Sequence, residues 1–298
     1  MGRRYALVAS WCRADTLRSV AVLLLCCPDR PGIVARVAGV LHEHGGNIVE
    51  ADQHTDHEHG LFLQRVEVDP PPGTTLDDLR TAFAPVAAEF DMTWSIHGDQ
   101  RASIAVLVSK QGHCLYDLLG RAAMGELDAD VALVVSNHTD HAAAAERFGV
   151  PFRHLPVDPA DPAAQHAELL ATLVEADVDL VVLARYMQIL PVEITERFAH
   201  RVINIHHSFL PAFVGARPYH QAHDRGVKLI GATAHYATAD LDEGPIICQD
   251  TAPVSHRDDI ERFVRRGRDL EMVVLARAVG LHLDHRVLAY ANRTVVFE

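Results

Sequence analysis

Val202-Ile203-Asn204-Ile205-His206-His207-Ser208-Phe209-Leu210-Pro211 is an apolar run in which polar side chains return at alternate positions before a proline closes it. That alternation is the signature of a strand, and it sets Asn204 and His206 on one face where the strand runs into its loop. The surrounding chain says what kind of sheet this strand joins. Short apolar runs at 103–108, 131–136, 152–155 and 180–183 are separated by helical stretches at 114–124, 141–148 and 162–176. Strands alternating with helices imply a mostly parallel, Rossmann-like sheet covered on both faces. In such an open sheet, ligands bind in the crevice at the carboxyl ends of the strands. Taken alone, an Asn and a His at a strand end are most simply a hydrogen-bonded loop edge, so the case for chemistry needs a second element.

Downstream, apolar runs at 229–236 and 245–251 add strands and 259–279 has the pattern of a long helix. Between the two strands lies Ala239-Asp240-Leu241-Asp242-Glu243-Gly244-Pro245-Ile246-Ile247. Three carboxylates in four positions are ordinarily a solvated turn. Flanked by strands apolar enough to be interior, a carboxylate at the end of this loop is instead placed to be partly buried. A buried carboxylate beside a histidine raises the imidazole pKa and fixes the ring, as general acid-base catalysis requires.

Upstream the periodicity differs. Residues 19–27 read as a buried strand broken by Pro28-Asp29-Arg30-Pro31-Gly32, and Ile33, Val37, Val40 and Leu41 recur at helical spacing before Gly45-Gly46-Asn47 ends the helix. Strands at 47–53 and 61–69 flank a polar turn at 54–60, followed by a helix at 76–90 and a strand at 92–97. Strand, helix, strand, strand, helix, strand is the split order of the ferredoxin-like class. Polarity rises at Gly98-Asp99-Gln100, which divides the chain into a tail at 1–18, a small domain at 19–98 and a larger one at 101–298. His54, His57 and His59 lie in the hairpin turn among Asp56 and Glu58, a solvated turn rather than a ligand set. No metal and no cofactor are expected.

Composition narrows the partners. The net charge of -13 over 298 residues opposes polyanion binding, and no basic run offsets it. The longest apolar stretch, 20–27, falls far short of the ~20 residues a membrane-spanning helix needs. Cys12, Cys26, Cys27, Cys114 and Cys248 lack metal-type spacing and read as thiols in a reducing, cytoplasmic setting.

The stretch from Asn204 to Gln249 resembles the signature of the folate-dependent formyltransferases: Asn-Ile-His, then Ser-x-Leu-Pro, then His235, then an Asp-Glu-Gly-Pro loop. Arg185-Tyr186-Met187-Gln188-Ile189-Leu190 is similar to that family's segment lining the pterin pocket. Residues 203–213 with Ala216-Arg217-Pro218-Tyr219-His220 resemble its hydrolytic branch, the formyltetrahydrofolate deformylases. Residues 26–52 resemble the ACT regulatory domain. His207 stands where the transferases usually carry proline, and Ser109-Lys110-Gln111-Gly112-His113 lacks the Gly-Ser-Gly-rich loop with which the glycinamide ribonucleotide enzymes cradle the acceptor's phosphate.

The resemblance implies hydrolysis of 10-formyltetrahydrofolate to tetrahydrofolate and formate, which balances the one-carbon pool and supplies formate for purine synthesis. Asn204, His206 and Asp242 carry over as the catalytic trio. Asn204 and a protonated His206 would donate to the oxyanion, and Asp242 would orient His206 and take a proton from water. Arg185, Met187, Gln188, Ile189, Leu190, His235 and Asp240 carry over as substrate-binding. Asp29, Arg30, Gly32, Asn47 and Ile48 match the ACT effector loop, with glycine or methionine as the kind of amino acid to be sensed. A homo-oligomer built on dimers is expected from edge-to-edge pairing of such domains. Two other functions stay open: transfer of the formyl group to an amine acceptor, and a sensor that binds folate and amino acid without turnover.

Overall fold

The computed structural model describes residues 20–158, 160–212 and 217–298. The expected tail, and Phe213 and Ala216 of the hydrolytic-branch motif, lie outside the described residues. The chain divides into a unit ending at Asp99 and a second running from Gln100 to Glu298.

The first unit is β1 (Ala21–Pro28), α1 (Ile33–Glu43), β2 (Asn47–Asp56), β3 (Leu61–Asp69), α2 (Leu76–Glu89) and β4 (Thr93–His97). Its antiparallel sheet has the order β2-β3-β1-β4. Alternate residues of β1 and β3, among them Leu23, Leu25, Phe62 and Val66, pack with Ile33, Val37 and Val40 of α1 and Leu79 and Phe83 of α2. Thr75 opens α2 with a reciprocal capping box to Asp78, satisfying backbone donors that the first turn leaves unpaired. The hairpin turn is shorter than expected. β2 runs on through His54 to Asp56, whose carboxylate accepts from the backbone N–H of Glu58 and His59, so the side chain, not the polar composition, sets where pairing stops.

The second unit begins with β5 (Ala102–Val108), α3 (His113–Met124), β6 (Ala129–Ser136), α4 (Ala142–Arg147), β7 (Phe152–His154), α5 (Pro162–Glu175), β8 (Leu180–Leu183), α6 (Val192–Arg197) and β9 (Val202–His206). It continues with α7 (Pro218–Arg225), β10 (Leu229–Tyr236), β11 (Ile246–Pro253), α8 (Ile260–Leu283), β12 (Val287–Tyr290) and β13 (Arg293–Val296). The seven-stranded sheet has the order β11-β10-β9-β8-β5-β6-β7. Alternation along β5 feeds two cores: Ile104, Val106 and Val108 face Leu115 and Leu118 of α3 and Val274 and Leu275 of α8, whereas Ala105 and Leu107 face Leu169 and Leu173 of α5 and Ile194 of α6.

From β7 to β9 the pairing is parallel, while β10 is antiparallel to both β9 and β11. The loop 237–245 is short enough to return the chain from β10 to β11 as a hairpin, whereas a parallel neighbour needs a crossover; β9 and β10 are joined by the longer 207–228, which carries α7 and still brings β10 back antiparallel. The sequence reading did not anticipate α6, α7 or the β12–β13 hairpin. α6 spans six residues, and the hairpin strands four each, too short for periodicity to register. The chain leaves β5 in one direction through β6 and β7, then returns to place β8 on the other side of β5, so β5 and β8 flank the switch point of the sheet.

Candidate active site

The carboxyl ends of β5, β8 and β9 open into a cavity of about 590 Å³. The switch point is tied shut beneath it. Ser109 N–H donates to the Arg185 carbonyl at 3.2 Å, and Ser109 Oγ accepts from Met187 N–H at 3.0 Å while donating to Asn137 Oδ1 at 2.7 Å. Asn204, His206, His235 and Asp242 all line the cavity. Register brings them there: His235 of β10 lies opposite Asn204, and Thr233 opposite His206. Asp242 arrives on the β10–β11 loop in a left-handed backbone conformation, φ 58°. Gly244 follows it, packed so closely on the Tyr236 carbonyl that a Cβ would overlap it.

The hydrogen bonds fix the ring orientations. His235 Nδ1 lies 3.0 Å from the Tyr236 carbonyl, which only accepts, so Nδ1 carries the proton. The unprotonated Nε2 then accepts from the Asn204 amide at 3.1 Å. This assigns the amide nitrogen, with its second hydrogen free to donate, to the cavity side of Asn204. His206 Nδ1 meets Asp242 Oδ2 at 3.1 Å, and His235 Nε2 lies 3.7 Å from Asp242 Oδ1. The hydrogen bond from His206, with the His235 ring close by, holds the Asp242 carboxyl well below the usual carboxylate range, against the opposing effect of burial. His206 Nε2 is buried and has no partner among the described residues. An orphaned ring nitrogen at a cavity wall is a group kept for a ligand.

His235, expected to touch substrate, is almost wholly buried and bonds to Asn204 and the backbone. Met187 and Ile189 are 57% and 65% exposed and form an apolar rim with Leu190 and Leu241. Gln188 and Asp240 line the same cavity. Arg185 does too, but its guanidinium turns into a buried cluster: Nη2 donates to Gln111 Oε1 at 3.3 Å, and Nε lies 3.5 Å from Glu271 Oε2. Glu271 also meets His113 Nε2 at 2.7 Å and accepts from the Tyr219 hydroxyl at 2.5 Å. Burial alone would push the Glu271 carboxyl up, but these hydrogen bonds and the Arg185 charge outweigh it and hold it below its ordinary value. His207, next to His206, is pushed down to about 3 by burial and by Arg185. Sequence reading gave Tyr219 only as part of the hydrolytic-branch motif and missed Glu271, a single carboxylate within the long helix expected at 259–279.

The expected effector residues are not brought together within one chain. Pro28, before Asp29, pairs with Leu61, while Asn47 pairs with Asp69 at the other end of β3. Arg30 instead donates to the Glu89 carbonyl and stacks on Phe90. Nor do the ligand-like atoms of His113, Cys114 and Glu271, mutually within 4.8 Å, suit a cation. Arg185 stands beside Glu271, and burial raises the Cys114 thiol pKa, keeping it protonated.

An amide donor, an orphaned imidazole and an ionised carboxylate converging at the switch point of an open α/β sheet define an enzyme of acyl transfer from a carbonyl. Residues 102–279 match the formyl transferase family and residues 21–84 the ACT domain. The chain is 53% identical to a formyltetrahydrofolate deformylase of Synechocystis sp., covering 93% of this chain and 98% of that one. A crystal structure of a formyltetrahydrofolate deformylase from Pseudomonas syringae superposes with TM-score 0.93 at 50% identity, covering 96% of each chain. Glycinamide ribonucleotide transformylase 1 from Symbiobacterium toebii superposes with TM-score 0.64 at 35% identity, covering 68% of this chain and 97% of that one. The chain belongs to the formyltetrahydrofolate deformylase family.

Proposed function

We propose that the protein hydrolyses 10-formyltetrahydrofolate to tetrahydrofolate and formate, with Asn204, His206 and Asp242 as the reacting groups. The observation that carries the assignment of roles is the orphaned His206 Nε2 opposite a ring nitrogen already engaged by Asp242. Folate packs its pterin against the rim from Met187 to Leu190, with Gln188 and Asp240 as polar contacts. The formyl oxygen then accepts from the Asn204 amide, whose orientation His235 holds. His206 Nε2 takes a proton from the attacking water and passes it to the leaving nitrogen, as in other imidazole-carboxylate pairs. Asp242, with its depressed pKa, is a poor proton acceptor, so its part shifts from base to partner of the imidazolium. Formate release measured without any amine tests the activity. Steady release supports hydrolysis, and release that requires an amine would reject it.

The ACT domain supports an amino-acid effector such as glycine or methionine. Because its two expected halves sit at opposite ends of one sheet, a shared grip on one ligand calls for two copies, which favours a homo-oligomer built on dimers. Deleting residues 1–98 is expected to abolish any response to glycine or methionine. Monomeric behaviour at micromolar concentration in sedimentation would reject the oligomer. No helix among the described residues is long and apolar enough to cross a membrane. Cys26, Cys27, Cys114 and Cys248 are free thiols, which suits a reducing, cytoplasmic setting.

A further inference from the structure

Four imidazoles line the cavity, and they differ in how far their nitrogens are already engaged. His235 uses both, on the Tyr236 carbonyl and the Asn204 amide. His206 uses one, on Asp242. His207 and His220 use neither, since no hydrogen bond or ion pair joins either ring to the described residues. His220 is exposed, whereas His207 is half-buried. We propose that the His207 ring seats the attacking water beside His206. This inference rests on the hydrolase reading above, because it takes water as the acceptor.

The placement carries it. His206 ends β9 and His207 follows it at the carboxyl edge of the sheet, with their ring centroids 5.2 Å apart and their planes at 37°. The Tyr219 ring lies 6.2 Å from His207 at 62°, and Tyr219 is itself fixed by its hydrogen bond to Glu271. His207 is thus set between aromatic neighbours with no polar bond of its own. Neither of its nitrogens is sealed from solvent, as His206 Nε2 is. A half-buried polar group without a protein partner is ordinarily satisfied by water or by a ligand. Here that water stands in the chamber where the formyl group is cut, next to the ring that takes the proton.

The chemistry needs such a group. Water attacks well only when a lone pair is aimed at the carbonyl carbon, and a single hydrogen bond to a base leaves the molecule free to turn about that bond. A second acceptor fixes it. His207 suits this part because it holds a proton of the water without removing it. Burial and the Arg185 charge keep its ring well below the ordinary imidazole pKa, against the opposing effects of Glu271 and Asp242, so it stays neutral with one bare nitrogen. The two rings then divide the work. The water oxygen bonds to the formyl carbon while one proton goes to His206 Nε2 and the other stays hydrogen-bonded to His207. The C–N bond breaks, the proton on His206 moves to the leaving nitrogen, and formic acid loses its own proton to solvent to give formate.

The test compares three variants of the full-length protein by formate release from 10-formyltetrahydrofolate without amine. His207→Leu removes both nitrogens, while His207→Asn and His207→Gln return an acceptor at the reach of Nδ1 and of Nε2 respectively. His207→Leu is expected to lower kcat by roughly a hundredfold with KM unchanged, the scale on which misplacing a reactant costs rate. One of the two amide variants is expected to recover about tenfold of that loss. Turnover in His207→Leu within about threefold of wild type, or a rise in KM with kcat unchanged, overturns the inference. So does a loss that neither amide variant recovers. A measurement on wild type stands apart from the folding of any variant: a crystal structure with tetrahydrofolate bound is expected to show an ordered water hydrogen-bonded to His207. A ring without that water, or one bonded to the folate itself, overturns the inference and leaves the hydrolase reading intact. Formate release by wild type only when an amine is present overturns both.

Discussion

The N-terminal unit and the cavity of the C-terminal unit handle charge differently. In the N-terminal unit many partners of a charged group are near in sequence, Asp78 with Thr75, Asp77 with Arg80, Asp56 with His59 and Glu67 with Arg65, and its longer-range pair, Arg36 with Glu89 across 53 positions, lies at the exposed surface. Even where Arg65 is itself buried, its carboxylate partners Glu50 and Glu67 keep contact with solvent. In the C-terminal unit the contacts around the cavity join residues far apart. His113 meets Glu271 across 158 positions, Arg185 meets Gln111 across 74, and Tyr219 meets Glu271 across 52. Local pairs act chiefly as turn and cap devices that set where elements begin and end. Long-range pairs of buried groups serve a place where the chain must hold charge out of water, and such pairs are justified by chemistry more than by stability.

The largest effect is expected at Asp242. Asp242→Asn is expected to lower turnover by about a thousandfold while the protein stays folded and binds tetrahydrofolate, since an amide cannot balance an imidazolium charge. Turnover near the wild-type level would remove Asp242 from the chemistry. The same variant has a stability signature. Asp242 has a folded pKa below its unfolded value, so its ionised form contributes stability that is fully present above the unfolded carboxylate pKa of about 4 and is lost as pH falls through the lower folded value. Melting temperatures of wild type and Asp242→Asn are therefore expected to differ by a constant amount near neutrality and to converge in acid. A gap that widened in acid would contradict the sign.

Smaller effects distinguish the two kinds of region further. Gly267→Ala places a methyl group into the Tyr219 ring and is expected to destabilise by about 1–3 kcal/mol, as overpacking does. It also slows turnover, because Tyr219 must leave Glu271; thermal denaturation alongside formate release checks both at once. Thr75→Ala removes the capping box of α2 and is expected to cost about 1 kcal/mol with turnover unchanged. A turnover loss in Thr75→Ala matching that of Gly267→Ala would erase the distinction.

What the sequence disclosed follows the same line. The order of elements in the N-terminal unit and the parallel core of the second were legible because hydrophobic periodicity is a local signal, as at 103–108 or in the run from Ile33 to Leu41. The Asn-Ile-His run and the acidic loop drew attention because several polar groups interrupt apolar strands. The Arg185–Glu271 pair was not legible as a pair. Arg185 looked like part of the pterin-lining segment, and Glu271 stands in a long amphipathic helix where a glutamate ordinarily faces water. The antiparallel turn into β10 depends on loop geometry that apolar runs do not encode. The opposite placement of Asn47 and Asp29 needed the register of β3.

The β12–β13 hairpin acts as a buttress for the acidic loop. Asn292 donates to the Glu243 carbonyl at 3.0 Å and Thr294 Oγ to the Ile246 carbonyl at 2.5 Å, so two hydrogen bonds hold the stretch of chain that follows Asp242. A group that never touches substrate can therefore govern how firmly the carboxylate is aimed at His206, and the tuning of the reacting trio extends to a hairpin outside the central sheet.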